Sequence, residues 1–371
     1  MIFMNYLIIR ITKRFNNFNM KPNYFYLTLT LIFSISLATK GQVAERIVKE
    51  EYKANEATML NIDSKFGKVE ILNWEKSVVQ VEVIMKAESD NKEFANETLQ
   101  KLNVELSQEG NEIFIKTLIE ERITSNFRKK VKFSVDITVY TPEWINIKLL
   151  NKYGSVFIER IDGKADLIVQ YGSLTIRELG RSNVKPLNQI SLAYSKGTIE
   201  KASWLKTDLS YSKLTIDEAQ AIICISKYSS LSSEKINSLV SDAKYDTYSV
   251  SSLNNFVGEM KYSNLKVSEF SGKMEIKSSY TSVKVDEVMP GFESLDIDNS
   301  RGGYKFGISN KASFNLDGEA IRGDIDVEGM EDLNRKAVNA DKTVWGTFGN
   351  ESTKGDIKII TREGSVKIEI L

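Results

Sequence analysis

The sequence predicts an all-β protein: a parallel β-solenoid (β-helix) with rungs of roughly 17–18 residues, behind an N-terminal β-rich cap containing one helix. Three observations predict it. Eight tyrosines (Tyr153, Tyr171, Tyr194, Tyr211, Tyr228, Tyr245, Tyr262 and Tyr280) follow one another at steps of 18, 23, 17, 17, 17, 17 and 18 residues. Apolar and polar residues alternate after each tyrosine, as they do along a half-buried strand. Like residues also occupy like positions from copy to copy. A coil that stacks each strand on its equivalent one turn later turns such positions into ladders. A meander of hairpins has no reason to repeat them.

The chain opens with two features that precede the folded body. Residues 20–41 read as a secretory signal peptide: Met20 and Lys21 form a basic start, Tyr24 to Ala38 an apolar stretch, and Ser36-Leu37-Ala38 a small-x-small cleavage pattern. The apolar stretch is short for a spanning helix, so no stable membrane span is expected after cleavage. Residues 1–19 sit awkwardly upstream of that signal, and Met20 is the expected true start. The mature chain is expected to begin near Gln42, in a periplasm, on a cell surface or outside the cell.

Residues 42–145 are less regular and read as the cap. "VVQVEVIMKAE" and "KVKFSVDITVYTP" are long alternating strands. Between them "SDNKEFANETLQKLN" reads as an amphipathic helix, with Ser89 or Asp90 as cap and Phe94, Leu99 and Leu102 inward. A cap covers strand edges that an end rung would leave open.

Residues 146–371 carry the repeats. With each tyrosine at position zero, position +1 holds small or turn-forming residues: Gly154, Gly172, Ser195, Ser212, Ser229, Asp246, Ser263 and Thr281. Positions +3, +5 and +8 are apolar except for Gly197 and Ser233. Position +6 is polar throughout, from Glu159 to Asp286. Residues −4 and −2 are largely apolar. Period-two parity then places the tyrosine on the inner face, a structural core ladder rather than an exposed strip that stacks sugars. Each repeat reads as strand, small-residue corner, strand and second turn, with a polar insertion at 180–188. Gly67, Gly323 and Gly364 mark the same corner outside the tyrosine run.

Composition bounds the chemistry. Fifty basic residues balance fifty acidic ones, so overall charge gives no reason to expect a nucleic-acid partner. Histidine is absent, which removes the commonest general base and zinc ligand. The single cysteine, Cys224, excludes an internal disulfide and falls in an inward column. Asp296 and Asp298, with Asp324, Asp326 and Glu328, are acidic clusters that read as solvated strand faces, and so does the basic "FRKKVKF" of 127–133. No Walker loop, dinucleotide fingerprint or nucleophile elbow is present. No catalytic, cofactor-binding or metal-binding residue and no cofactor is expected.

The order of segments resembles a known family. A signal peptide is followed by "SKFGKVEILNW", then "VYTPEWINIKLLNKYGSVFIERIDGKADLIVQYGSLTIREL", the repeats, and "GDIKIITREGSVKIEIL". This resembles the bacterial putative-adhesin family of unknown function with β-strand repeats, common in Bacteroidetes-type envelopes. The resemblance covers most of residues 42–371 and implies an exported β-solenoid. It supplies no catalytic residues. The serine corner with its tyrosine column departs from the family's Gly corner. The expected function is a non-enzymatic cell-envelope scaffold that binds a protein or glycan. The alternatives are a carbohydrate-active β-helix enzyme using surface carboxylates, and a structural or regulatory periplasmic protein.

Overall fold

A computed structural model describes residues 42–120, 131–350 and 354–371. The export segment and residues 127–130 of the basic stretch lie outside the described residues. Within them the protein is all-β with one helix, and its 27 strands join one mixed sheet.

Parallel pairing runs through the repeats, one repeat apart and in register. Ile199 lies beside Ile216, Ile216 beside Ser233, Ser233 beside Val250, and Val250 beside Val267. The same apolar columns form the core. Leu214, Ile216, Leu231, Val250, Leu253, Val267 and Phe270 are all buried, and so are the two exceptions, Gly197 and Ser233. The 23-residue step is absorbed outside the sheet. Residues 180–187 form a loop, after which Asn188–Ala193 pairs with Asp166–Gln170 as any other repeat does.

Burial alternation breaks at more places than a two-strand repeat allows. Within Lys196–Ser210, Gly197 and Ile199 are inward, Glu200 and Lys201 both outward, Ala202 inward, Ser203 and Trp204 both half-buried, and Leu205, Thr207 and Leu209 inward. The ladder to the next repeat skips Glu200/Asp217 and Ser203/Gln220. In the four repeats from Lys196 to Lys261 the expected second turn is therefore two bends within one continuous strand, and with the tyrosine corner each of these carries three inward runs. Elsewhere a turn separates two strands as expected, as between Ser155–Ile161 and Ala165–Gln170 and between Asn264–Phe270 and Lys273–Ser279.

Antiparallel elements flank both ends. Gln42–Lys53, Val78–Ser89 and Val131–Thr141 form an antiparallel trio, and Phe314–Ile321, Asn334–Val338 and Asp341–Phe348 another. The first of the repeat-like segments lies inside residues 42–145. Met59–Lys65 pairs in parallel with Asn146–Lys152, and Val69–Asn73 with Ser155–Ile161. Near the C-terminus sequence order and strand order part: Gly355–Arg362 inserts between Ser294–Ser300 and Phe314–Ile321.

The helix spans Lys92–Gln100. Asn91, rather than Ser89 or Asp90, caps it: its side chain accepts hydrogen bonds from the backbone N–H groups of Glu93 and Phe94. Ser89 Oγ in turn accepts from Asn91 N, at 3.3 Å. Ala95 and Thr98 are the buried helix residues, Phe94 and Leu99 are half-buried, and Leu102 is buried at the start of the next strand. No helix among the described residues is long and apolar enough to cross a membrane.

Candidate functional surface

The tyrosine column is on the surface, which corrects the inward reading. Each of the eight is 41–52% exposed. The parity argument assumed extended backbone through the tyrosine. Every one of them has positive φ, between 49° and 61°, and so does Phe66 at the head of the column. One left-handed residue inserts an extra step, so −2 and +1 point inward while the two residues between them, −1 and the tyrosine, face out. Such a conformation costs an L-residue about 1–2 kcal/mol. The tyrosine turns the corner, not the small residue after it.

Gly154 shows what that small residue does. It lies outside the left-handed set, and a Cβ on it would sit 1.8 Å from the carbonyl oxygen of Gly67. Glycine is needed there for close backbone approach, not for turning. Where serine replaces it, the hydroxyl points in and orders the corner. Ser212 Oγ donates to Ser210 O at 2.8 Å and accepts from Ser195 N at 3.1 Å. Ser195, Ser229 and Ser263 repeat the arrangement, as does Thr281. Asp246 accepts from Ser229 N at 2.6 Å. This buried hydroxyl column fixes register beneath the exposed rings.

The rings stack face to face. Centroid separations run from 4.9 to 5.2 Å between Phe66 and Tyr280, with planes within 18° of parallel. That spacing is the strand spacing, so nine rings extend roughly 40 Å. Both outer faces are closed as well. Phe133 packs on Phe66 at 5.5 Å, and the Arg301 guanidinium lies 5.5 Å from the Tyr280 centroid and donates to its hydroxyl at 2.8 Å. A sugar or base stacks on a ring face, and no face in this ladder is open. The surface presents ring edges and phenol hydroxyls at a regular interval.

Charges continue the column where the aromatic residues stop. Arg301, Glu363 and Arg322 also have positive φ and occupy successive strands. Glu363 lies 2.6 Å from Arg301 and 2.7 Å from Arg322. The hydrogen bond from Arg301 holds the Glu363 carboxyl below its ordinary value. The left-handed corner thus tolerates phenols, guanidinium groups and a carboxylate alike.

The columns beside the ladder are chemically one-sided. Position −1 holds Lys152, Lys227, Lys244 and Lys261, position +2 holds Lys196 and Lys213, and position +4 holds Lys266 and Lys284. All other residues in those three columns, from Lys152 to Lys284, are uncharged, mostly serine or threonine. A shallow groove of about 740 Å³ follows Tyr194, Tyr211, Tyr228 and Tyr245, with Lys196 and Lys213 on its wall.

A second concavity, about 780 Å³, lies on another outward face. Trp74, Trp144, Glu159, Arg160, Arg177 and Glu200 line it. Arg160 is held by Glu178 at 2.8 Å, Asp162 at 3.0 Å and Glu143 at 3.3 Å. Trp74 stacks on Tyr140, and Lys76 sits 4.6 Å from its ring. No sequence pattern marked this cleft, because its residues come from five separate segments.

The sequence-level chemical candidates do not assemble. Asp296 and Asp298 precede the Arg301 corner and line a groove with Glu259, Glu275 and Lys277. Asp324 and Asp326 follow the Arg322 corner, on a strand paired with Ser365–Ile370, and do not line that groove. Asp298 pairs with Arg362, not Arg301, and Asp324 with Lys342 at 2.7 Å. No group of three or more Cys, Asp or Glu among the described residues is placed to hold a metal. Cys224 is fully buried, and burial pushes its thiol up. It accepts from the Tyr248 hydroxyl at 3.1 Å, inside a polar knot with Ser226, Ser241 and Asp246.

No family model and no curated protein matches this chain. Among solved structures it is similar to a putative cell adhesion protein from Clostridium sporogenes (11% identity, 90% of this chain and 100% of that one, TM-score 0.17). It is also similar to a putative adhesin from Bacteroides fragilis (11% identity, 88% and 97%, TM-score 0.27). A putative lipid binding protein from Parabacteroides distasonis shares 9% identity over 88% of this chain and 98% of that one, at a TM-score of 0.31.

Proposed function

We propose that the protein is an exported, non-enzymatic scaffold of the cell envelope. Its repeats form a parallel β-solenoid whose outward columns bind a protein or polysaccharide partner. The observation that carries this reading is the unbroken aromatic column, roughly 40 Å long at the strand spacing, which offers the same groups at every repeat. A surface of identical steps fits a long or repeating partner better than a single small substrate. In-register parallel pairing one repeat apart supports the solenoid. The pairs Asp296/Asp298 and Asp324/Asp326 do not line one groove, which weighs against the carbohydrate-active alternative.

A glycan array together with partner capture from envelope extract, both with the purified protein, tests the reading. Saturable binding to a defined glycan or envelope protein is the expected result. Recovery of neither would overturn it in favour of a purely structural or regulatory periplasmic role.

A further inference from the structure

Overall neutrality conceals a sorting of charge. The chain has fifty acidic residues, yet none stands at positions −1, +2 or +4 of the eight tyrosine repeats, where eight lysines stand. Apart from Asp246 at +1, which is buried in the hydroxyl column, the acids lie further out, at +6 (Glu159, Glu200, Asp217, Glu234, Asp286) and at −3 (Asp208, Asp242, Glu259). Five consecutive repeats carry one lysine each on a flank of the tyrosine, Lys196 and Lys213 at +2 and Lys227, Lys244 and Lys261 at −1.

These lysines are also stacked on one another. Lys196 is directly paired with Lys213, and Lys227 with Lys244 and Lys244 with Lys261. Like charges directly opposite each other across strands are destabilising. Only Lys261 has a carboxylate partner among the described residues, Glu259 at 3.7 Å. The fold does alternate charge elsewhere: Arg301, Glu363 and Arg322 carry opposite signs in the ladder's own continuation. Lys227 and Lys244 lie over the rings of Tyr228 and Tyr245, 5.3 and 5.8 Å from the centroids, but among the described residues no carboxylate pairs with Lys196, Lys213, Lys227 or Lys244.

We infer that the tyrosine–lysine strip is a binding site for a linear acidic polysaccharide, laid along the column with a carboxylate or sulfate against each lysine. This rests on the proposed binding role and names its ligand class. An extended polyanion with about one charge per strand spacing relieves the repulsion along its whole length. The tyrosine hydroxyls and the serines and threonines of the +2 and +4 columns supply hydrogen bonds to sugar hydroxyls. A single-stranded nucleic acid also brings regular charge, but it binds by stacking bases on open aromatic faces. Every ring face here is covered. Two lysines stacked on one flank of the column and three on the other, each stack at the strand spacing, act as one multivalent site, so affinity rises steeply with chain length.

The test is isothermal titration of the full exported chain with polygalacturonate, with neutral mannan and with oligo(dT), at low and moderate salt. Wild type is expected to bind polygalacturonate, to lose affinity with salt, and to bind longer chains more tightly. K227S/K244S/K261S is expected to lose at least about tenfold in affinity and about two to three units of salt slope. Its melting temperature should be unchanged or raised, because repulsion is removed; Lys358→Ser, which replaces an exposed lysine on Gly355–Arg362 outside the tyrosine repeats, should leave binding unchanged. Equal affinity of the triple variant, or tighter binding of oligo(dT), would overturn the inference. Binding of mannan or a protein partner without polygalacturonate would sink it while leaving the general binding role intact. Binding of no glycan or partner at all would remove both.

Discussion

Replacing Tyr228 by alanine and by glycine separates the two things the ladder residue does. Tyr228 is 41% exposed, and its ring lies 4.9 Å from those of Tyr211 and Tyr245. Truncation removes something over half of the burial of a ring side chain, on the order of 90 Å², which at about 25 cal/mol per Å² is roughly 2 kcal/mol. Losing two stacking contacts adds about 1 kcal/mol, roughly 0.5 kcal/mol each at the low end expected for half-exposed rings. Water refills the gap, so the cavity penalty of a core truncation does not apply. Tyr228→Ala should then cost about 2–3 kcal/mol in equilibrium urea unfolding followed by near-ultraviolet circular dichroism. Alanine keeps the left-handed strain at φ 52° and glycine releases it. Tyr228→Gly should be about 0.5–1 kcal/mol more stable than Tyr228→Ala, the reverse of the ordinary strand order. A cost for alanine below about 0.5 kcal/mol, within the surface range, would refute the stacking argument. Glycine falling below alanine would refute the corner argument.

Three further outcomes follow from the interior. Asp246 stands in the hydroxyl column, and burial raises its carboxyl above the ordinary 3.8. The folded chain therefore binds that proton more tightly than the unfolded chain, and ionisation weakens the fold as pH rises through the folded-state value. Asp246→Ser, matching Ser195, Ser212 and Ser229, should gain up to about 1 kcal/mol at neutral pH, and the gain should shrink as pH falls toward 3.8 in paired urea titrations. A gain that grows on acidification would contradict the assigned direction. Gly154→Ala should cost about 1–3 kcal/mol through backbone overpacking, read as a lowered urea midpoint, since the added Cβ meets the Gly67 carbonyl. Cys224, the only thiol in the chain, should resist a thiol-specific chromophore in the native state and react fully in urea.

The inward columns were legible in sequence because they obey period two within each run. Leu214 and Ile216 are buried as their two-residue spacing implies. The tyrosines were not, because a left-handed residue breaks parity and residue identity announces one only at glycine, asparagine or aspartate. A second sign was available in the same text. Ser212 and its counterparts lie an odd step from −2 yet an even step from +3 and +5, so a parity break had to fall between −2 and +1. The bends at Glu200/Lys201 and Ser203/Trp204 were missed for a related reason. Both members of each pair are polar or amphipathic, and a stretch with no apolar contrast carries no phase. The Trp74 and Trp144 cleft was unreadable because it exists only once separate segments are stacked. The charge sorting was present in the sequence, but only column by column; summed over the chain it cancels to zero.

The division between inside and outside explains why the outer columns are free to carry a message. Register is set by buried groups: the apolar columns and the hydroxyls that bond each corner to the next. The corner itself needs only a residue that accepts positive φ, and Arg301, Glu363 and Arg322 meet that need as well as tyrosine does. The corner conformation therefore does not itself demand phenols, although their stacking stabilises the column, and it does not demand lysines beside five of them. Exposed positions without a structural demand would ordinarily mix their charges, since opposite neighbours stabilise a parallel ladder and like neighbours oppose it. Mixing does occur at +6, where Arg177 stands between Glu159 and Glu200 and pairs with Glu159 at 3.4 Å. An acid-free strip next to a mixed one, on the same strands, is a property of the outer surface alone. It costs the fold repulsion that the contacts of Lys227 and Lys244 with tyrosine rings offset only in part, and the proposed anionic ligand would reverse that cost.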